Sequence, residues 1–183
     1  MSERILGVDP GLETTGFGMI EIAGRRATHL ASGTIVTSAH EALAVRLTAL
    51  YAQFAQRLES SRPDVVVLEE LYAHYQHPTT AILMGHARGV IALAVAQRRI
   101  PLACYLPTRV KKAVTGHGHA TKTQVQRMVT ALLALARAPE PDDVSDALAL
   151  ALTHARTLGE PALATLVKKR RRTLPPALQE IFR

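Results

Sequence analysis

The chain has 183 residues, 48% of them hydrophobic, enough to bury one sizeable core but not to suggest two full domains. Its one cysteine, Cys104, rules out an internal disulfide and reads as a buried filler in a reducing compartment. The apolar residues before Asp9 are too few for a signal peptide and the longest apolar run, Gly89 to Ala96, is well short of a membrane span, so a soluble, cytoplasmic protein is expected. A net charge of +7 points to an anionic partner, yet residues 168–183 hold six Lys/Arg against one acidic residue, and the remainder is only +2. Nucleic-acid binding must therefore rest on local clusters.

Ile5, Leu6 and Val8 form an apolar run that Pro10-Gly11 stops just after Asp9, the pattern of a buried strand ending in a turn. Asp9 is either a turn-starting residue or an exposed carboxylate at a strand end, and this stretch alone does not separate the two. Phe17 to Ile22 is a hairpin partner and Thr28 to Val36 a third strand. Ser38 and Glu41 match a capping box before Leu43, Leu47, Leu50, Phe54 and Leu58, which recur at helical spacing. Val65 to Leu68 is a strand covered on both faces, ending at Glu69-Glu70.

Residues 73–78 are polar and histidine-containing, a loop before a helix from about Thr79. Ala81, Gly85, Gly89, Ala92 and Ala96 give that helix a stripe of small residues, facing either the sheet or a second subunit. Pro101 to Leu106 is the last strand and Thr108 to Val114 a short helix. After a Gly-His-Gly-His loop, Thr121 and Gln124 make a second capping box before Val125, Met128, Leu132 and Leu135. Asp142 to about Thr157 is the final helix, with Val144, Ala147, Leu148 and Ala151 inward. The order is α/β: an antiparallel three-strand meander followed by parallel crossovers, one domain over 1–157 and a basic tail over 158–183 that is expected to be flexible.

Asp9 and Glu69 both fall at strand ends, where open α/β sheets place ligands, and Asp143 and Asp146 share one face of a helix. If that helix crosses the strand ends, the four form a carboxylate cluster useful mainly around a divalent cation, and oxygen-only ligands favour Mg²⁺ or Mn²⁺. Two such ions can clamp a phosphodiester for hydrolysis. Acidic residues in a first helical turn also serve as caps, which suits Asp142 but not Asp146.

Ile5-Leu6-Gly7-Val8-Asp9-Pro10-Gly11, Leu68-Glu69-Glu70-Leu71-Tyr72, Arg88-Gly89, Val110-Lys111-Lys112, Lys122-Thr123-Gln124-Val125-Gln126 and Asp143-Val144-Ser145-Asp146-Ala147-Leu148 occur in one order. That order and spacing resemble the RuvC Holliday junction resolvases over about Met1 to Thr157. The resemblance implies a ribonuclease-H-like mixed sheet flanked by helices, a homodimer, and symmetric nicking of four-way DNA junctions in recombination and repair, beside a RuvA-RuvB branch-migration complex. By position, Asp9, Glu69, Asp143 and Asp146 look like the metal-binding catalytic carboxylates, with two Mg²⁺ or Mn²⁺ ions. Lys111 and Lys122 look like the catalytic lysines near the cleaved strand, with Arg109 and Lys112 as further DNA contacts. Tyr72 stands where the family carries an aromatic and could stack on a base, against the alternative of a half-buried tyrosine. His74, His77, His117 and His119 lack the partners of a zinc set and read as loop residues or DNA contacts. The competing functions are a nucleotide phosphotransferase of the actin-like class, for which the chain is short, and a junction-binding protein without catalysis.

Overall fold

A computed structural model describes residues 2–70 and 78–158. Tyr72, His74, His77 and the basic tail lie outside the described residues. Three strands open the chain, β1 (Ser2–Asp9), β2 (Thr14–Ala23) and β3 (Arg26–Val36), paired antiparallel as a meander. Helix α1 (Leu43–Ser61) leads to β4 (Val65–Glu69), and α2 (Pro78–Gln97) leads to β5 (Leu102–Tyr105). Both later strands run parallel to β1, so the sheet order is β3-β2-β1-β4-β5. Helices α3 (Pro107–Thr115), α4 (Lys122–Leu132) and α5 (Asp142–Leu158) complete the fold.

Strand alternation divides the core into two faces. Ile5, Ile20, Val65 and Val67 pack under α3, α4 and α5, together with Val110, Val114, Val125, Val129 and Leu148. Leu6, Val8, Phe17, Met19, Val66 and Leu68 pack on the other side against Leu50, Phe54 and Leu58 of α1 and Ala87, Ile91, Ala94 and Val95 of α2. Arg62 ends α1 in the left-handed region at φ 45°, its N–H closing on the Leu58 carbonyl at 3.0 Å, and Pro63 then prevents continuation.

The meander, the parallel strands and the helix order agree with the sequence reading, and three local expectations change. Ser38 does not cap α1: its hydroxyl accepts from the His40 N–H in a turn, and the helix begins four residues later behind Ala42. The second capping box forms with both of its bonds, Gln124 N–H to Thr121 Oγ1 at 3.3 Å and Thr121 N–H to Gln124 Oε1 at 2.8 Å. Leu132 is exposed while Val129 and Leu133 are buried, because α4 stops there and Ala134, at φ 49°, turns the chain away. Cys104 is exposed, since β5 is an edge strand. Of the small-residue stripe on α2, Gly85 and Gly89 face open space. By length and composition α2 could cross a membrane, but Ala87, Ile91, Ala94 and Val95 on it have zero exposure in the core.

Candidate active site

Pro10 and Pro107 frame the end of the sheet where the chemistry gathers. Val8 pairs with Leu68 in the parallel ladder, so the next residues, Asp9 and Glu69, leave adjacent strands side by side. Both share the parity of Ile5, Gly7, Val65 and Val67, and their side chains therefore point to the face that α5 covers.

Glycines bring α5 down onto that face. Gly7 pairs with Gly18 and Gly16 pairs with Asp9 across β1 and β2. A Cβ at Gly7 would collide with the Ala147 carbonyl and lie 2.9 Å from the Ala151 nitrogen; one at Gly16 would strike the Asp143 backbone and lie 2.8 Å from its Cβ. A Cβ at Gly18 would lie 2.5 Å from Leu148 Cγ. The helix backbone thus rests directly on the strands, and α5 is buried almost all round from Val144 to Thr153. This contact sets Asp143 over the start of β2 and Asp146 one turn further in. The condition that the last helix cross the strand ends is met.

Burial is the largest influence on these acids. It pushes Asp9 up to about 7, with Asp146, Glu69 and Asp143 adding like-charge repulsion in that order. Glu69 is also raised, by burial and then by Asp146, with Lys111, Lys122 and Arg88 opposing. Asp146 is raised by burial even though Lys122 Nζ stands 3.5 Å from its Oδ2. Desolvation outweighs this contact because the lysine side chain is 69% exposed and well hydrated. The same pairing raises Lys122. The site is therefore a half-buried concentration of negative charge with two lysines at its rim.

The predicted residues divide accordingly. Asp9, Glu69, Asp143, Asp146 and Lys122 come together, and Lys111, half-buried on α3, acts on Glu69. Asp142 and Lys112 are exposed. Arg109 is exposed as well, its guanidinium 5.0 Å above the ring of Tyr105, so it enters as a stacked cation beside the cluster. Tyr105 is in turn held by hydrogen bonds with His154 Nδ1 at 2.8 Å and Thr157 Oγ1 at 3.1 Å. Sequence reasoning missed that support, because nothing local links residues 105, 109 and 154. It also missed Gln126 and Ser145, whose side chains both donate to the Pro139 carbonyl and brace the entry to α5.

An all-oxygen donor set whose members repel one another fits a hard divalent cation, which would relieve the repulsion that adds to burial in raising Asp9. Among the described residues no three His, Cys, Asp or Glu side chains stand close enough to enclose one ion as placed. His117 and His119 join no such group.

A mixed sheet of this order, with strand-end carboxylates beneath an acidic helix, defines a ribonuclease-H-like nuclease. The comparisons narrow the class. Residues 5–154 match the family model for crossover junction endodeoxyribonuclease RuvC. A RuvC from Heliobacterium modesticaldum is 46% identical over 154 residues, 84% of this chain and 94% of that protein. One from Thermotoga maritima is 44% identical over 84% of this chain and 91% of its own length. The T. thermophilus RuvC solved in complex with a Holliday junction substrate superposes with a TM-score of 0.81 at 35% identity, covering 85% of this chain and 94% of that one. The yeast mitochondrial resolvase Ydc2, at 16% identity and a TM-score of 0.63, shares the fold. The chain belongs to the RuvC family of crossover junction endodeoxyribonucleases. Divalent-cation dependence in general goes with that family, and the phosphotransferase alternative is not favoured.

Proposed function

We propose that the protein binds four-way DNA junctions and resolves them by paired symmetric nicks in recombination and repair, acting in the cytoplasm as a homodimer. One observation carries the reading: carboxylates from β1, β4 and α5 gather at one sheet end, where burial first and then repulsion from Asp146, Glu69 and Asp143 push Asp9 up to about 7. A surface this acidic is unsuited to a phosphate backbone unless divalent cations lie between them. Asp9, Glu69, Asp143 and Asp146 would hold two Mg²⁺ or Mn²⁺ ions, which when bound activate water and neutralise charge on the phosphodiester.

The chain's own residues supply the rest. Lys122 and Lys111 place positive charge at the rim, where it can bind the scissile phosphate and stabilise the negative charge that develops as water adds to phosphorus and one P–O ester bond breaks. Arg109, stacked on Tyr105, and exposed Lys112 extend that positive rim along α3 for contact with neighbouring phosphates. Tyr72, three residues beyond Glu69, is assigned to base stacking at the crossover. Ile82 and Leu93 of α2 are 60% and 53% exposed, and with Gly85 and Gly89 they form an apolar, closely approachable stripe that supports the homodimer. A RuvA-RuvB complex is the expected partner on the junction.

The test is cleavage of a synthetic four-way junction with Mg²⁺ or Mn²⁺, beside linear duplex and an ATPase assay without DNA. Paired nicks in the junction alone are expected. Junction binding without nicking in either metal would favour a non-catalytic binder, and ATP turnover without DNA would favour a phosphotransferase.

A further inference from the structure

We infer that Arg88 is a positioning residue for Glu69, holding the end of β4 from the helix that carries the outward apolar stripe. The inference rests on the reading of Glu69 as a catalytic carboxylate and adds a residue that acts through it.

In the peptide between Glu69 and Glu70, the Glu70 N–H donates to the Tyr105 carbonyl on β5 at 2.8 Å. A trans peptide points its C=O opposite to its N–H, so the Glu69 carbonyl turns away from β5, towards the end of β1. There the residue after Asp9 is Pro10, which has no N–H to donate. A half-buried carbonyl left unpaired is costly, and the ladder cannot supply its donor. Arg88 supplies it: Nη1 donates to the Glu69 carbonyl, and Nη2 lies 3.1 Å from Cys104 Sγ. Cys104 is the partner of Leu68 in the parallel register and the last but one residue of β5, so one guanidinium ties the end of β4 to β5.

Arg88 reaches this point because Ala87 and Ile91 beside it are sealed into the core, which fixes the helix against the sheet. The Glu69 side chain leaves for the α5 face while its carbonyl is held from the α2 side. Arg88 therefore bonds the carbonyl of Glu69, and acts on its carboxylate only through charge. Its loss leaves the 69–70 peptide held from the β5 side alone, through the Glu70 N–H, and a tilt about that bond swings the carboxylate relative to Asp9 and Asp146. Since the same helix carries Ile82, Gly85, Gly89 and Leu93 outward, a movement of α2 at that stripe reaches Glu69 through one side chain.

The experiment measures single-turnover junction cleavage across a Mg²⁺ titration, with junction affinity in EDTA and thermal melting, for wild type, Arg88→Met, Arg88→Lys and Glu69→Gln. Arg88→Met is expected to cut the saturated rate and raise the half-saturating Mg²⁺ concentration, each by roughly 10- to 100-fold, with junction affinity within about twofold of wild type. Arg88→Lys, able to reach the carbonyl but not both acceptors, should regain only part of the rate and keep a raised Mg²⁺ demand. An Arg88→Met enzyme with rate and Mg²⁺ dependence within about twofold of wild type overturns the assignment, as does a rate loss that only tracks lost folding or lost junction affinity. Should Arg88→Met not fold, Arg88→Lys is judged by the same criteria, an intermediate rate with raised Mg²⁺ demand supporting the assignment and wild-type values overturning it. Glu69→Gln separates the two levels: if it cleaves normally the parent reading fails, whereas a dead Glu69→Gln beside an unaffected Arg88→Met removes only Arg88.

Discussion

The two faces of the sheet are built by opposite means. On the α1–α2 face Leu6, Val8, Phe17, Met19, Leu50 and Phe54 fill the space between layers with large side chains. On the α5 face, Gly7, Gly16 and Gly18 leave side chains out, so that the backbone of α5 touches the strands. Neighbouring residues show the contrast most sharply: Leu6 has zero exposure in one core, and Gly7 lies against Ala147 and Ala151 in the other. Volume on the first face supplies stability through burial. Absence of volume on the second sets the height of Asp143 and Asp146 above Asp9, so there stability and catalytic geometry depend on the same contact.

The charge that this contact concentrates gives the largest expected effect. Asp9→Asn should lower junction cleavage by roughly 10³-fold or more in Mg²⁺ and leave junction binding nearly intact. It should also raise the melting temperature of the metal-free protein near neutral pH. The folded-state value of about 7 lies above the usual 3.8, so Asp9 favours the folded state when protonated, and that contribution is lost as pH rises through 7. Asn keeps the shape and removes the loss. Equal losses of binding and cleavage, measured by gel shift and single-turnover kinetics, would count against the assigned role.

Substitutions at adjacent positions separate the faces. Gly7→Ala should displace α5 and cost about 10²-fold in cleavage rate, with about 1–3 kcal/mol of stability. Leu6→Ala should cost more stability, about 2–5 kcal/mol in denaturant titration, yet cleave within a few-fold of wild type where it remains folded. If Leu6→Ala lost cleavage as Gly7→Ala does, the division of labour between the faces would be wrong. Lys122→Met should have a smaller effect on rate, roughly 10- to 100-fold in single-turnover cleavage, because Lys111 still acts on Glu69.

The sequence made parts of this division visible and hid the rest for physical reasons. Strand-end acids show through apolar runs that stop at Pro10 and Glu69, and Asp143 and Asp146 show through helical spacing. The Thr121–Gln124 box was legible because both of its bonds are local. The same pattern at Ser38 misled, since the His40 N–H takes the serine hydroxyl in a turn before the helix begins. Cys104 looked buried because an apolar run cannot say which strand lies at the edge. Gly7 against Ala147, Arg88 on the Glu69 carbonyl and Arg109 over Tyr105 are contacts between distant segments or depend on sheet order. They became readable only when α5 and α2 were seen against the strands.

The smallest expected effect lies where the α5 face meets the cation rim. His154 is half-buried on α5 with its Nδ1 2.8 Å from the Tyr105 hydroxyl, and burial lowers its affinity for a proton below that of an ordinary histidine. Below about pH 6.5 the unfolded chain takes up a proton that the folded one resists, so this group's contribution is present above that pH and is lost as pH falls towards the folded value. The loss should be small, because the imidazole is only half-buried. His154→Gln, which can keep a bond to Tyr105, should flatten stability between pH 5 and 7 relative to wild type in urea titrations at about half-unit pH steps. Because Tyr105 carries Arg109 on its ring, the same variant should leave junction affinity at pH 7.5 unchanged, whereas Tyr105→Leu should weaken it and lessen its salt dependence. A His154→Gln protein with the wild-type pH slope would show that this imidazole does not contribute to the pH dependence of stability.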